Sequence, residues 1–353
     1  MKKLLKVLLI VVLVLVAAVA ILFGWLTATE YKPAPVESVE LMKAGDVDVL
    51  YPGEDLTLLS WNIGYAGLGK DSDFFMDGGK QSRAADRETV GRYLEGIRRT
   101  IAEQDAHLIL LQEVDIDSGR TYGIDERNTL SVGMSCEAFA YNYSCPFVPV
   151  PVPPIGKVHS GLYTMTDDLT IDSAERISLP CPFSWPLRIA NLKRCLLVSY
   201  LPVYGTDKQL VLVNLHLEAY DDGEGKIAQT KQLFDFMQAE YAKGNYVIAG
   251  GDFNQIFPGS LERYPNTHPE NWEPGVLDVE LLPEGWALAY DLSTPTCRLL
   301  NQPYDPSDTA GTQYYVIDGI IASPNVNVNS VETVDVQFEN SDHNPVRLSF
   351  SLS

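Results

Sequence analysis

The sequence predicts an α/β (α+β) protein in which two mostly antiparallel β-sheets pack face to face and helices cover them from outside. Two observations indicate this class. Many short apolar segments rich in β-branched residues are typical of strands, whereas only two segments of the region after residue 50 repeat apolar residues at helical spacing. The 353 residues are 46% hydrophobic, which is enough apolar material for a large core.

The predicted strands are spread over the whole region after residue 50. They are residues 56–62, 108–112, 139–143, 157–166, 196–203, 209–216, 247–252, 314–322, 331–338 and 346–352. Residues 146–154 contain five prolines and are predicted to be an extended surface segment. Residues 258–311 are predicted to be a long irregular connection, a length that is usually functional or disordered.

Two helices are predicted to cover the sheets. The first begins near Ser82 and carries Val90, Leu94, Ile97 and Ile101 on one face. The second spans residues 226–241. Its predicted buried face comprises Ile227, Thr230, Phe234, Met237 and Tyr241.

The N-terminal segment predicts a membrane span. Residues 7–26 contain no charge and follow Lys2, Lys3 and Lys6, and twenty helical residues measure about 30 Å, the thickness of a bilayer core. The lysines should remain in the cytoplasm, which places the rest of the chain on the extracytoplasmic side of the cell membrane. A cleaved signal peptide is the alternative, although the apolar stretch is long for one and lacks small residues at a cut site. We therefore divide the chain into an anchor (1–28), a juxtamembrane spacer (29–52) and a folded domain (53–353).

The net charge bears on the class of substrate, and the cysteine spacing bears on whether the protein has a zinc site or disulfides. The net charge of −21 opposes binding to a phosphate backbone, so it disfavours long nucleic acids as substrates. The five cysteines lack the spacing of a zinc site. In an exported protein, Cys136 with Cys145 and Cys181 with Cys195 are candidate disulfides, and isolated buried thiols are the alternative.

Polar residues stand at the ends of the predicted strands, where open sheets keep their chemistry. Asn62 and Glu113, with Asp252 or Asp342 nearby, form an all-oxygen set of the kind that Mg²⁺ or Mn²⁺ prefers. A divalent cation beside a phosphate neutralises the charge that builds up during phosphoester cleavage.

Two histidines complete this chemistry. One would take a proton from water and the other would donate to a phosphoryl oxygen, with Asp318 holding His343 as the base. The sequence contains no serine or cysteine in a nucleophile elbow, so direct attack by water is expected.

The motifs that carry these residues resemble those of the endonuclease/exonuclease/phosphatase superfamily, which has the deoxyribonuclease-I-like fold. They occur in the family's order between residues 56 and 350. They are Trp61-Asn62, Gln112-Glu113-Val114, Asn214-Leu215-His216-Leu217, Gly251-Asp252-Phe253-Asn254, Asp318-Gly319-Ile320 and Ser341-Asp342-His343. The resemblance implies a four-layered α/β sandwich and a hydrolase of phosphoester bonds.

The resemblance also implies a role for each motif residue. Glu113 would be the main Mg²⁺ ligand (Mn²⁺ being possible), with Asn62 beside it and Asp342 near the metal. His216 would stabilise the phosphoryl oxygens, and Asp318 would orient His343 as the base. Asp252 and Asn254 would position the attacking water and the phosphate.

Two further residues are candidates for substrate binding. His159 occupies a strand where relatives carry a different pattern, and an ordinary strand-edge residue is its alternative. Arg298 would reach a phosphate from the long connection, with a surface salt bridge as the equal alternative.

The superfamily acts on many phosphoesters, so the fold does not choose the substrate. The predicted anchor, the acidity and the 214–219 run, which is similar to that of sphingomyelinase-like members, favour a small or lipid phosphoester. A membrane-tethered extracellular nuclease is the alternative. A catalytically inactive binding module is a third hypothesis, which would require the loss of a motif residue, and none is lost.

Overall fold

The computed structural model of the protein describes residues 2–43, 47–308 and 311–353. The helices are α1 (Lys2–Ala28), α2 (Arg87–Gln104), α3 (Arg127–Leu130), α4 (Glu224–Ala242) and α5 (Ser260–Arg263). The strands are β1 (Val36–Val39), β2 (Leu41–Lys43), β3 (Leu56–Asn62), β4 (Leu108–Asp115), β5 (Cys136–Val148), β6 (Gly156–Thr166), β7 (Ser173–Ser178), β8 (Cys195–Pro202), β9 (Gln209–His216), β10 (Tyr246–Asp252), β11 (Gln255–Ile256), β12 (Gly275–Val276), β13 (Ala287–Ala289), β14 (Cys297–Arg298), β15 (Tyr314–Tyr315), β16 (Asp318–Ala322), β17 (Val326–Thr333) and β18 (Val346–Leu352).

Two mixed sheets of seven strands each form the centre of the fold. The first sheet has the order β17-β18-β3-β4-β6-β5-β2, and the second has the order β1-β7-β8-β9-β10-β16-β13. Each sheet contains one parallel pair, β3 with β4 and β9 with β10, and its other pairs are antiparallel. The prediction of two mostly antiparallel sheets flanked by helices is confirmed.

Alternation along the strands creates four layers, because successive side chains point to opposite faces. Leu58 and Leu110 of the first sheet pack against Leu212 and Ile248 of the second in the central core. The alternate residues along each of these strands face away from the central core. In the first sheet Leu59, Trp61, Ile109 and Leu111 meet α2, and in the second Val211, Val213 and Val247 meet α4.

The two covering helices form where the spacing predicts them. All four apolar residues predicted for the face of α2 are buried, and Asp86 caps this helix by accepting a hydrogen bond from the backbone N–H of Thr89. In α4, Thr230, Phe234 and Met237 are buried as predicted, but Ile227 is exposed. The buried side of α4 begins instead at Gly225 and Lys226. It includes Gln229, which accepts a hydrogen bond from the backbone N–H of Glu218 and donates one to the carbonyl of Pro180.

The segment predicted to be a spacer is partly folded onto the domain. Strand β1 pairs with β7, and β2 pairs with β5, so residues 36–43 supply an edge strand to each sheet. Residues 44–46 of this segment lie outside the described residues. Strand β7 lies between the predicted strands 157–166 and 196–203, where no strand was predicted, and the strand predicted at 331–338 runs instead from Val326 to Thr333.

The disulfide predictions are wrong. All five cysteines are free, and all but Cys181 are buried. Cys136 and Cys145 lie on the single strand β5, and nine residues of strand separate them by about 30 Å, far beyond the reach of a disulfide.

Helix α1 is long and apolar enough to cross a membrane. It contains 27 residues, and none of its most apolar window is buried against the rest of the chain. This agrees with the predicted N-terminal span.

Candidate active site

The two parallel strand pairs bring the predicted residues to one end of the sandwich. In the first sheet, Asn62 at the end of β3 is in register with Gln112 of β4. In the second, His216 at the end of β9 is in register with Asp252 at the end of β10. A buried hydrogen bond of 2.8 Å from Gln112 Nε2 to Asn214 Oδ1 joins the two sheets directly behind these ends.

Glu113 reaches the cleft because its strand is irregular there. The register of β4 against β6 shifts between Leu111 and Val114, and Glu113 has a φ of 56°, a left-handed backbone conformation. Such a bulge redirects one side chain out of the alternating pattern. A non-glycine residue in this conformation is strained, and strain of this kind concentrates at functional sites.

Asn62 links carboxylates of the two sheets. Its Nδ2 donates to Glu113 Oε1 at 3.3 Å and to Asp252 Oδ2 at 3.0 Å, and its Oδ1 accepts from the backbone N–H of Gly64 at 3.0 Å. In this orientation the amide holds the two acids together by its nitrogen. The ligand role predicted for Asn62 requires the amide oxygen on that side, which is a rotation of the same side chain.

His343 is held by Asp318, as predicted. Their Nδ1 and Oδ2 atoms lie 2.8 Å apart, and the indole N–H of Trp61 donates to the carbonyl of His343 at 2.8 Å. The Nε2 atom then points to Asp252 and Asp342, at 3.8 Å and 3.9 Å from their carboxylates. Burial alone would lower the pKa of His343, but the negative charge of Asp318 and its neighbours raises it well above its ordinary value.

His216 lies on the other side of Asp252. Its Nε2 is 3.5 Å from Asp252 Oδ2, while no group within the described ranges bonds its buried Nδ1. Burial and then the positive charge of Arg194 hold the pKa of His216 well below its ordinary value. The two imidazoles therefore differ in proton affinity, because their surroundings lower the pKa of His216 and raise that of His343.

Asp252 and Asn254 depend on a glycine turn. At Gly251 the φ is 148°, and a Cβ there would lie 2.0 Å from the carbonyl oxygen of Leu215, so only glycine fits. Asn254 has a φ of 50°, its backbone N–H donates to Asp252 Oδ1 at 2.8 Å, and its Nδ2 donates to the carbonyl of Leu217. These bonds leave Asn254 Oδ1 as the free end of the amide.

The carboxylates of the cleft are crowded. Burial, with the charge of Asp318, raises the pKa of Asp252 to about 7. Burial, with a contribution from the charge of Glu113, raises the pKa of Asp342 to about 6. Acids that repel each other in a buried site favour a bound cation, and carboxylate oxygens suit a hard divalent one.

The donor groups therefore fit a divalent metal. Two groups of described residues bring their potential ligand atoms within 4.8 Å of one another: Cys297 with Asp342 and His343, and Asp252 with Asp318 and His343. Glu113 belongs to neither group, but it lines the same cleft as Asp342.

Of the two candidates for substrate binding, Arg298 lines the cleft and His159 does not. Arg298 is buried, and its terminal nitrogens donate to backbone carbonyls, including those of Gly69 and Ser72 at 3.0 Å and 3.2 Å. It therefore fixes the loop after β3 instead of reaching out to a phosphate. The ring of His159 packs edge-on against Tyr141, outside the residues that line the cleft.

Sequence reasoning missed two buried arginines in the cleft wall. Arg120 makes a two-pronged ion pair with Asp115, at 3.0 Å and 2.9 Å, and stacks over the ring of Tyr65. Arg194 donates to the carbonyl of His216 at 3.3 Å. Neither belongs to a motif, so only the fold reveals them. The outer wall of the cleft is apolar and aromatic, formed by Phe74, Met76, Ile155, Leu192, Tyr220 and Trp272.

Solved structures similar to this one share its α/β sandwich. An endonuclease/exonuclease/phosphatase from Beutenbergia cavernae DSM 12333 has a TM-score of 0.56 and 18% identity, with 85% of this chain and 72% of that chain covered. An endonuclease/exonuclease/phosphatase from Bacteroides vulgatus has a TM-score of 0.54 and 15% identity, covering 85% and 100%. ANGEL2, a 2′,3′-cyclic phosphatase in complex with adenosine-2′,3′-vanadate, has a TM-score of 0.54 and 16% identity, covering 89% and 98%. No curated protein matches the sequence.

The sequence itself gives the assignment. The profile of the Endonuclease/Exonuclease/phosphatase family matches residues 59–343, so the chain belongs to that family. Members of this family are phosphoester hydrolases that generally depend on a divalent metal. The resemblance inferred from the motifs is confirmed.

Proposed function

We propose that the protein is a metal-dependent hydrolase that cleaves a small or lipid phosphoester by direct attack of water. The observation that supports this most strongly is the position of the Asp252 carboxylate. It stands between the imidazoles of His216 and His343, with Asn62 connecting it to Glu113. Carboxylates and imidazoles in this arrangement are suited to proton transfer beside a phosphoryl group.

Glu113 and Asp342 would hold the metal, with Asn62 joining them when its amide oxygen faces inward. The residues fit Mg²⁺ or Mn²⁺ because the donors are oxygen atoms. When bound, the cation would neutralise charge on the phosphoryl oxygens in the transition state.

The two imidazoles would accept and donate the protons of the reaction. Nε2 of His343, with Nδ1 fixed by Asp318, would accept the proton of the attacking water as the new P–O bond forms. The bond to the ester oxygen breaks, and the departing oxygen takes a proton from solvent water, to which His343 returns the proton that it accepted. His216, whose pKa is lowered by burial, would donate a hydrogen bond to a phosphoryl oxygen, while Asp252 and the amide oxygen of Asn254 would orient the water.

The cleft and the charge favour a substrate with an apolar part. The aromatic outer wall contacts apolar groups well, and the net charge of −21 opposes a polyanion. A membrane-tethered nuclease or nucleotide phosphodiesterase is the second candidate. The aromatic rings of Tyr220 and Trp272 support it, since bases stack on such rings. The structurally similar ANGEL2 is a 2′,3′-cyclic phosphatase in complex with adenosine-2′,3′-vanadate.

The proposed location is the cell membrane. Helix α1 would cross it once, with the lysines at its start in the cytoplasm and the catalytic domain on the extracytoplasmic side. Seven of the predicted catalytic and metal-binding residues line one cleft, and Asp318 bonds His343 from behind it, which argues against an inactive binding module.

The test is a panel of substrates. The full-length protein in detergent, with Mg²⁺, would be assayed on bis(4-nitrophenyl) phosphate, a phosphomonoester, phospholipids and plasmid DNA, with His343→Ala as the control. Turnover of small or lipid esters that the control lacks would support the proposal. Nicking of plasmid DNA alone would favour the nuclease, and turnover equal to the control on every substrate would favour a binding module.

A further inference from the structure

The end of helix α1 is attached to the domain through one loop, residues 180–193, which we call the anchor loop. The indole N–H of Trp185 donates to Thr27 Oγ1 at 3.1 Å, and the ring of Trp185 packs edge-on against Phe23. Arg188 and Lys193 both reach Glu30 Oε1 at 3.2 Å. The last turn of the predicted membrane span is therefore in direct contact with this loop.

The anchor loop is also a wall of the active-site cleft. Asn191 and Leu192 line the cleft, and the loop leads into Arg194, which bonds the carbonyl of His216. The backbone N–H of Lys193 donates to the carbonyl of Asn142, another cleft residue, at 2.7 Å. About ten residues of chain thus connect the membrane end of α1 with the catalytic histidine.

A second loop, residues 149–155, lies beside the anchor loop. Ile155 lines the cleft and packs, with Leu192 and Ala190, onto the small apolar cluster at the end of β5. Four prolines, at 149, 151, 153 and 154, leave this loop few backbone N–H groups that need water.

Both loops expose apolar side chains, and the anchor loop does so against the end of α1. We call Val150, Val152, Trp185 and Leu187 the apolar rim, and their exposed fractions are 59%, 95%, 54% and 64%. Tryptophan is typical of the interface between lipid and water. Lys32, Arg188 and Lys193 cluster nearby around the single acid Glu30, a local positive excess in an otherwise acidic chain.

We propose that the apolar rim rests in the surface of the bilayer that α1 crosses, and that the cleft takes its phosphoester from the headgroup of a lipid in that bilayer. The bilayer is the occupant because the rim continues the apolar surface of α1 and is joined to it by Trp185. Basic groups beside the rim suit the phosphates of the headgroup layer. The inference rests on the proposed hydrolysis and on the proposed membrane span.

The first test measures where the rim lies. Val152→Cys, in a Cys181→Ser background that removes the exposed native thiol, would be labelled with bimane in the full-length protein. Bimane fluorescence would be compared in vesicles of phosphatidylcholine with phosphatidylglycerol and in the same vesicles with brominated acyl chains. Strong quenching by bromine is the expected result, and equal fluorescence in both vesicles would overturn the docking.

The chain offers a matched control. Val132 is a valine that is 64% exposed and precedes β5, whereas Val150 and Val152 follow it, and the 13 residues of this strand span about 40 Å. Bimane on Val132→Cys should not be quenched. Equal quenching at both positions would also contradict the proposal.

The second test measures turnover. A Val152→Asp, Leu187→Asp variant in vesicles should hydrolyse the vesicle lipid roughly tenfold more slowly than wild type. The reason is that the variant loses the favourable free energy of burying two apolar side chains in lipid. Its hydrolysis of soluble bis(4-nitrophenyl) phosphate should be unchanged, which also shows that it is folded, and Val132→Asp should change neither rate. Equal lipid turnover by both variants would overturn the proposal. If wild type cleaves neither substrate, the proposed function fails, while the bimane measurement still decides whether the rim docks.

Discussion

The first sheet and the second sheet each contain one strand–helix–strand unit with parallel strands, and the two units end differently. The unit β3–α2–β4 ends in an amide and a carboxylate, Asn62 and Glu113, and its second strand needs a bulge to present the acid. The unit β9–α4–β10 ends in His216 and Asp252 in direct register. Similar architecture thus places an amide and a carboxylate at the end of one unit and an imidazole and a carboxylate at the end of the other.

The two units have the same strand–helix–strand architecture, but different residues stand at their ends, so the site between them is asymmetric. Asn62 bridges the two ends, because its Nδ2 reaches the acid of its own sheet and that of the opposite sheet. We infer that the first unit holds the metal and the second handles protons. The following substitutions test that division.

The largest effect is expected from the second unit. Asp252→Asn keeps the size of the side chain but removes the charge between the two imidazoles. The account predicts a fall in kcat of about 10³-fold, within the range for groups that act in proton transfer. Stopped assays with bis(4-nitrophenyl) phosphate would measure it, and an unchanged thermal unfolding curve would show that the fold is intact. A loss below tenfold would place Asp252 outside the chemistry.

A change in the first unit should act through the metal. Glu113→Gln removes a charged donor, so we expect the Mg²⁺ concentration for half-maximal activity to rise by about 100-fold, with kcat partly recovered at high Mg²⁺. Activity titrated against Mg²⁺ measures this. An unchanged metal requirement would show that Glu113 does not hold the ion.

Asp318→Asn should change the proton affinity of His343. Asp318 raises the pKa of the imidazole, and a base works only when it is deprotonated, so kcat/KM should increase as the pH rises through that pKa. Without the negative charge the imidazolium is less stable. The rising limb of the pH profile of kcat/KM should therefore move to lower pH, and kcat/KM on its plateau should fall by about 10- to 100-fold.

The pKa of His343 can be followed directly by NMR of the imidazole protons in the wild type and in Asp318→Asn. A lower pKa in the variant is expected. If neither the NMR titration nor the limb of the pH profile moves, Asp318 does not control His343.

The smallest effects are expected on the free energy of unfolding, when one glycine in each unit is replaced by alanine. Gly251→Ala would place a Cβ against the carbonyl of Leu215 and should lower the free energy of unfolding by about 1–3 kcal/mol. Gly91→Ala in α2 meets no atom within 4 Å and should raise it by about 0.5–1 kcal/mol. Urea unfolding measures both. A stable Gly251→Ala would contradict the requirement for glycine ahead of Asp252.

The sequence predicted the central strands and the motif residues because both depend on local patterns. Strands β3, β9 and β18 have the predicted bounds, since each is a continuous or alternating apolar run that is buried in the centre of a sheet. The motif residues follow such runs directly, so their meeting at one end of the sandwich follows from the parallel pairing.

What the sequence did not reveal depends on distant partners. Strands β1 and β2 have four and three residues, are largely exposed, and exist only because β7 and β5 offer free edges. Arg120 and Arg194 enter the cleft through Asp115 and the carbonyl of His216, contacts that no local spacing records. Arg298 was placed in the right region but bonds backbone carbonyls of residues more than 220 positions earlier.

The most direct test of one shared centre is a double-mutant cycle of kcat/KM with Glu113→Gln and Asp252→Asn, measured on bis(4-nitrophenyl) phosphate with Mg²⁺. Groups that act together on one phosphoryl group are strongly non-additive, so the double variant should lose little more than Asp252→Asn alone. If the losses of the two single variants multiply in the double variant, the two sheets do not serve one centre and the account is contradicted.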